Sequence, residues 1–140
     1  MKSLVKLAEN EEAKAAADMK LATDYLSKVQ NSLEGLVNYQ NEYIGQFQQN
    51  IGKQFSINQL NQYRNFLSQL TMGIEQQQQV IARAHEIYEK KRRFWLEKHN
   101  RTRALKKAME NYHLDEQNAE EIKEQNLQDE FSMQKRNRDI

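Results

Sequence analysis

The 140-residue chain has no cysteine, no proline and only four glycines, Gly35, Gly45, Gly52 and Gly73. Without cysteine there is no disulfide framework and no thiolate zinc site. Without proline, and with so few glycines, almost nothing punctuates the chain. Valine, isoleucine and threonine are scarce, and Leu, Ala, Glu, Lys, Gln and Met fill their place, a helix-forming composition. No run of about 18 apolar residues occurs, so no membrane-spanning helix is expected. The opening "MKSLVKLAENEEAKAAADMK" turns acidic before an apolar core develops, unlike a secretory signal. One domain at most, in a cytoplasmic protein, is the expectation.

What is present is a seven-residue repeat. Alternating steps of four and three along the first half pick out Ala8, Glu12, Ala15, Met19, Ala22, Leu26, Val29, Leu33, Leu36, Gln40, Tyr43 and Phe47, of which ten of twelve are apolar. The second half yields Leu60, Tyr63, Leu67, Leu70, Ile74, Gln77, Ile81, Ala84, Tyr88, Lys91, Trp95, Lys98, Thr102, Leu105, Met109 and Tyr112, with twelve of sixteen apolar. A 3.5-residue period held over five or more heptads is the mark of a left-handed coiled coil. Asn and Gln make up 30 of the 140 residues, including "QQQQ" at 76–79. That run lies inside a sustained heptad, so solvated helix faces account for it better than a prion-like tract does.

The two registers break at "QQNIGKQFSIN", residues 48–58, where Gly52 suits a helix C-cap and Ser56 or Asn58 an N-cap. Two long helices joined by a short loop read as an antiparallel hairpin. The expected fold is therefore all-α: an antiparallel two-helix coiled-coil hairpin with an extended C-terminal helix. Helix one is expected over about 3–48, the loop over about 49–57 and helix two over about 58–112. A less ordered or lone helical tail takes up about 113–140, all within one domain. With the turn centred near residue 54, residue i faces roughly 108 − i. Helix one then runs out near Lys107, leaving the rest of helix two without a partner in the chain.

A second stripe flanks the first. On helix one Val29, Ser32, Leu36, Tyr39 and Tyr43 run beside the seam. On helix two Phe66, Leu70, Gly73 and Gln77 do the same. The pairing rule places Tyr39 near residue 69 and Tyr43 near residue 65, so the flanks meet close to the loop. In a two-helix protein such a flank faces water, and grouped exposed aromatics mark an interaction surface. The alternative is that these residues widen the seam.

"YQNEY" at 39–43, "NQYRNFLSQL" with "IEQQQQ" at 61–79, "FWLEKHNR" at 94–101 and "DEF" at 129–131 stand in an order and spacing that resemble the bacterial flagellar export protein family FliJ. The opening "LVKLAENEEAKAAADM" fits as well, so the resemblance covers essentially the whole chain. It implies an antiparallel coiled coil like the rotor stalk of rotary ATPases. The implied protein is non-catalytic, sits in the export ATPase ring and promotes its assembly. It contacts the cytoplasmic domain of the export gate protein FlhA and binds empty export chaperones. The implied gate-binding residues are Ser32, Leu36, Tyr39 and Tyr43 on helix one, with Phe66, Leu70, Gly73 and Gln77 on helix two. Ser32, Gly73 and Gln77 depart from the family's side chains, so the aromatic centre of the patch matches better than its rim. The implied location is cytoplasmic, peripheral to the inner membrane at the flagellar base.

Charge is segregated although the chain totals only +1. Residues 89–107 carry nine Lys or Arg against two Glu, and residues 108–131 carry eight acidic residues against Lys123. Lys90, Lys91, Arg92, Arg93, Arg101 and Arg103 are thus candidates for docking to the ATPase ring or another acidic partner. The plainer alternative is a solvated face offset by Glu9, Glu11, Glu12 and Asp18 opposite. "KKRRFW" could also suggest nucleic acid, but Trp95 falls in the seam register and nucleic-acid binding is not expected. The acidic block keeps Ile122, Leu127 and Phe131 available to a partner.

Nothing in the sequence points to catalysis, a metal or a cofactor. Of His85, His99 and His113, only His85 with Glu89 has helical ligand spacing, and two ligands make no metal site. "HEIYE" lacks the second histidine of a zinc-protease motif. There is no Gly-rich phosphate loop, and the carboxylates lie on solvated faces. Two rivals to the flagellar reading are an injectisome stalk and a free-standing coiled-coil adaptor or chaperone. The adaptor would form a homodimer, where the hairpin implies a monomer.

Overall fold

A computed structural model describes residues 2–50, 52 and 55–138. It contains two helices, α1 (Lys2–Gln49) and α2 (Ile57–Arg138), packed against each other as the arms of an antiparallel hairpin. No strand occurs among the described residues. The all-α hairpin expected from the heptads is the architecture observed. The turn centre expected near residue 54 lies outside the described residues. The chain divides into two compact units, Lys14–Leu96 and Met1–Ala13 with Glu97–Ile140.

In the unit Lys14–Leu96, local chemistry ends one helix and starts the next. The last turn of α1 tightens as the Asn50 amide donates to the Phe47 carbonyl at 3.1 Å. The Asn50 side chain donates to the Gln46 carbonyl at 3.0 Å, occupying a second acceptor that the helix itself leaves without a partner. Gly52 has φ +105°, a conformation that a Cβ makes costly. Ser56 then caps α2. Its hydroxyl accepts from the Gln59 amide at 3.1 Å, and its own amide donates to Gln59 Oε1 at 3.0 Å. This reciprocal capping box satisfies two amides that would otherwise be orphaned.

The seam of this unit follows the heptads. Every expected position from Ala15 to Phe47 on α1 is buried or half-buried, and so is every one from Leu60 to Tyr88 on α2, with Trp95. Lys91, expected in the seam, is exposed; its ammonium keeps its hydration by leaning out of the apolar stripe. Two polar seam residues are satisfied across the interface. Gln77 Nε2 donates to the Val29 carbonyl at 3.0 Å, and Gln40 Nε2 donates to Thr71 Oγ1 at 3.2 Å. The deepest residues are small: Ala84 is 1% exposed and Ala15 2%. Small side chains let two helix backbones approach closely, whereas a larger one reaches past its single neighbour into water.

In the other unit, Val5 and Ala8 of α1 and Thr102 of α2 are the buried residues. Val5 extends the apolar stripe one position beyond its expected start. Thr102 is a polar member of the seam, and its hydroxyl donates to the Lys98 carbonyl of its own helix at 3.0 Å. Tyr112, also expected in the seam, is exposed. From residue 110 to 138 every residue of α2 is exposed. Lys135, Arg136 and Arg138 stand in its last turn, where cations complement the helix dipole.

The seam predicts that Ala84→Leu, which adds volume where the helices are closest, lowers stability by about 1–3 kcal/mol. Urea denaturation followed by far-ultraviolet circular dichroism measures this, and an unchanged midpoint would remove Ala84 from the closely packed seam.

Candidate functional site

The loop end of the unit Lys14–Leu96 gathers six aromatic rings. Phe47 stacks on Tyr63 with ring centroids 3.8 Å apart and on Phe55 at 5.2 Å. Tyr43 stacks on Tyr63 at 5.3 Å and meets Phe66 edge-on at 4.6 Å. Tyr39 closes the series with an edge contact to Phe66 at 6.1 Å. Offset and edge-on pairs of this kind each contribute roughly 0.5–1.5 kcal/mol beyond the area they bury. The helices' register is thereby pinned at the loop. Tyr39 meets residue 66 rather than the expected 69, while Tyr43 falls between Tyr63 and Phe66, around its expected 65.

The eight expected gate-binding residues separate into two sets. Leu36, Tyr43, Leu70 and Gln77 are seam residues, half-buried between the helices. Ser32, Tyr39, Phe66 and Gly73 lie beside the seam. Ser32 and Tyr39 are exposed, Phe66 and Gly73 half-buried, and the Ser32 hydroxyl donates to the Lys28 carbonyl at 3.1 Å. With the seam counted as heptad positions a and d, all four of the second set are g positions. In an antiparallel pair the two g rows share one flank, as the Tyr39–Phe66 contact illustrates. The side chains offered outward are therefore Tyr39 and the outer edge of Phe66, supported from within by Tyr43.

Phe55 was not among the expected residues. Its ring, 40% exposed, lines a shallow groove of about 190 Å³ with Gln46, Phe47, Asn50 and Tyr63. A sequence signal for it exists: an apolar residue directly before the Ser56–Gln59 capping box is a hydrophobic-staple position.

The basic block is partly neutralised. In the unit formed by Met1–Ala13 and Glu97–Ile140, Lys98 Nζ lies 3.2 Å from Glu11 and Arg101 3.8 Å from the same carboxylate. Lys106 lies 3.2 Å from Glu9, and His99 Nδ1 is 2.6 Å from Glu12. In the other unit Arg92 pairs with Glu89 of its own helix at 3.6 Å. Asp18, which the alternative reading set against the block, makes no ion pair among the described residues; it shares a groove with Ile87, Lys90, Lys91 and Phe94. Lys90, Lys91, Arg93 and Arg103 are exposed and make no ion pair among the described residues. Beyond the block, Ile122 and Leu127 are five residues apart, about 140° around the helix, and share no face.

Among the described residues no group of three or more His, Asp or Glu is placed to hold a metal, and no helix is long and apolar enough to cross a membrane. The arrangement leaves an exposed aromatic edge at the loop end and exposed cations in each unit. Searches for similar proteins agree with the family resemblance. A family model described as "Flagellar FliJ protein" matches residues 1–139. No curated protein and no solved structure matches the chain.

The hydrogen bond from His99 holds the Glu12 carboxyl below its ordinary 4.5, against the opposing effect of burial. A carboxylate with a lowered folded pKa contributes stability that is present above 4.5 and lost as pH falls through the folded value. The stability advantage of wild type over Glu12→Gln should therefore shrink on going from about pH 6 to about pH 3. Parallel denaturation curves of the two proteins measure it, and a constant difference would remove Glu12 from the contact.

Proposed function

Because the chain belongs to the flagellar FliJ family, a component of flagellar protein export, we propose that it is the non-catalytic stalk linking the export ATPase ring to the export gate. In this reading it promotes assembly of the ring, reaches the cytoplasmic domain of FlhA with its loop-end flank and receives empty export chaperones. It works in the cytoplasm, peripheral to the inner membrane at the flagellar base. The chain alone is a monomer, since each helix already has its partner within the hairpin. The observation that carries the gate contact is the Tyr39–Phe66–Tyr43 cluster. It leaves Tyr39 49% exposed on rings stacked into the seam, so the anchor is rigid before it meets a partner.

Coupling needs a two-helix element that transmits a displacement instead of absorbing it. The polar seam partners Gln40 and Gln77 specify register by cross-helix hydrogen bonds, because a slipped pairing would leave their amides without partners. Arg92 and Arg101 already hold carboxylates. Of the six cations, Lys90, Lys91, Arg93 and Arg103 would therefore carry most of the docking to the ring or to another acidic partner.

Calorimetric titration with the soluble domain of the export gate tests the gate contact. Tyr39→Ala/Phe66→Ala should weaken binding by about 2 kcal/mol, roughly thirtyfold in Kd. Circular dichroism should show both proteins equally helical. Absence of binding by the folded wild type would remove the gate assignment and leave family membership standing.

A further inference from the structure

The g row that carries Tyr39 and Phe66 continues beyond the loop-end patch. On α1 the preceding g positions are Ser32, Tyr25 and Asp18; on α2 the following ones are Gly73, Val80, Ile87 and Phe94. All belong to the unit Lys14–Leu96. Tyr25 is 50% exposed, Ile87 49% and Phe94 48%, and Leu21, at the adjoining c position, is 69% exposed. Singly exposed apolar residues are ordinary, but Ile87 and Phe94 recur at the g position of α2 and Tyr25 stands at the g position of α1, which together make a stripe. Asp18 and Phe94 line one groove of about 410 Å³ with Ile87, Lys90 and Lys91, which brings the two rows together on one flank.

The border of this stripe is cationic. In a heptad the c positions adjoin g, and in this stretch they include Lys14 and Lys28 on α1 and Arg83 and Lys90 on α2. All four are exposed, and none makes an ion pair among the described residues. The acidic residues of the same stretches, Asp24, Glu86 and Glu89, fall at the b and f positions, away from the stripe; only Asp18 lies in it. An apolar floor with a basic border on two antiparallel helices is the receptor half of a three-helix packing. The missing third helix needs apolar residues at heptad spacing and carboxylates beside them.

We propose that the flank formed by residues 14–28 of α1 and 80–94 of α2 is a docking surface for an acidic amphipathic helix of a partner protein. Tyr25, Ile87 and Phe94 supply the apolar contact, and Lys14, Lys28, Arg83 and Lys90 select for acidic charge. The surface is separate from the loop-end gate contact. Of the basic block, it takes up the acidic-partner reading for Lys90 alone. Its partner class follows from charge: a basic border raises the association rate and affinity of an acidic helix and disfavours a basic one.

The test uses the full chain and a synthetic amphipathic peptide of about three heptads, with leucine at a and d and glutamate on its flanks. The comparison peptide has each glutamate replaced by lysine. Fluorescence anisotropy should show the acidic peptide binding at least about tenfold tighter than the basic one, with affinity falling as salt rises. Ile87→Glu should weaken binding at least about tenfold. Met72→Glu, at an outward-facing f position on the same helix, should leave it unchanged, and circular dichroism should show both variants fully helical. The proposal is overturned by absence of binding, by equal affinity for the two peptides, or by equal losses in the two variants. Binding to anionic phospholipid vesicles that Ile87→Glu abolishes, without peptide binding, would overturn it in favour of a membrane surface. The peptide titration does not use the gate domain, so either reading can fail without the other.

Discussion

Two helices can cover each other along only one stripe apiece, and that constraint decides most of what this protein is. A side chain in the seam has a single facing helix, so only small residues disappear completely: Ala15 and Ala84 in one unit, Ala8 and Thr102 in the other. The larger seam residues of the unit Lys14–Leu96, Met19, Leu26, Leu33 and Trp95 among them, reach past their neighbours and remain half-buried, while the compact Val29 is buried. Apolar area beside the seam is therefore built in, because there is no third layer to hide it. The flank carrying Tyr39 and Phe66 at one end, and Ile87 and Phe94 at the other, follows from having two helices and no more.

A narrow apolar seam also specifies its own alignment poorly, since leucines at successive heptads are interchangeable. Here polar and aromatic contacts supply the missing specificity. A slip of one heptad would take Gln77 away from the Val29 carbonyl and separate Phe47 from Tyr63. Near the start of α1, Glu9, Glu11 and Glu12 perform a similar task for α2 through Lys106, Lys98, Arg101 and His99. Such partly exposed pairs contribute little stability individually, but opposite charges in register penalise every other register. In the proposed stalk role a defined register would matter more than a large folding free energy, because arms that slide past each other transmit nothing.

The charge pattern has two components that net charge conceals. Cations facing the acidic start of α1 belong to the hairpin's own cohesion, and they leave little for a partner. Cations facing outward, Lys90, Arg93 and Arg103 among them, are available at long range and steer association. In the neighbouring acidic stretch of α2, Leu127 and Phe131 stand four residues apart on one face, with Ile122 on another.

How much of this was legible depended on the kind of information each feature needs. The sequence by itself determined the two helices, their antiparallel pairing and nearly all of the seam, because a 3.5-residue apolar period admits few other structures. It also carried the capping signal at Ser56 and the segregation of charge. Lys91 and Tyr112 were misplaced by period alone, since periodicity says which face a residue occupies and not whether anything stands opposite. Whether Tyr39, Tyr43, Phe55 and Phe66 form one cluster was likewise a tertiary matter, as was the separation of the eight flank residues into seam and g row. Ring contacts and ion pairs depend on how residues distant in sequence are brought alongside, which only the packing of α1 against α2 decides.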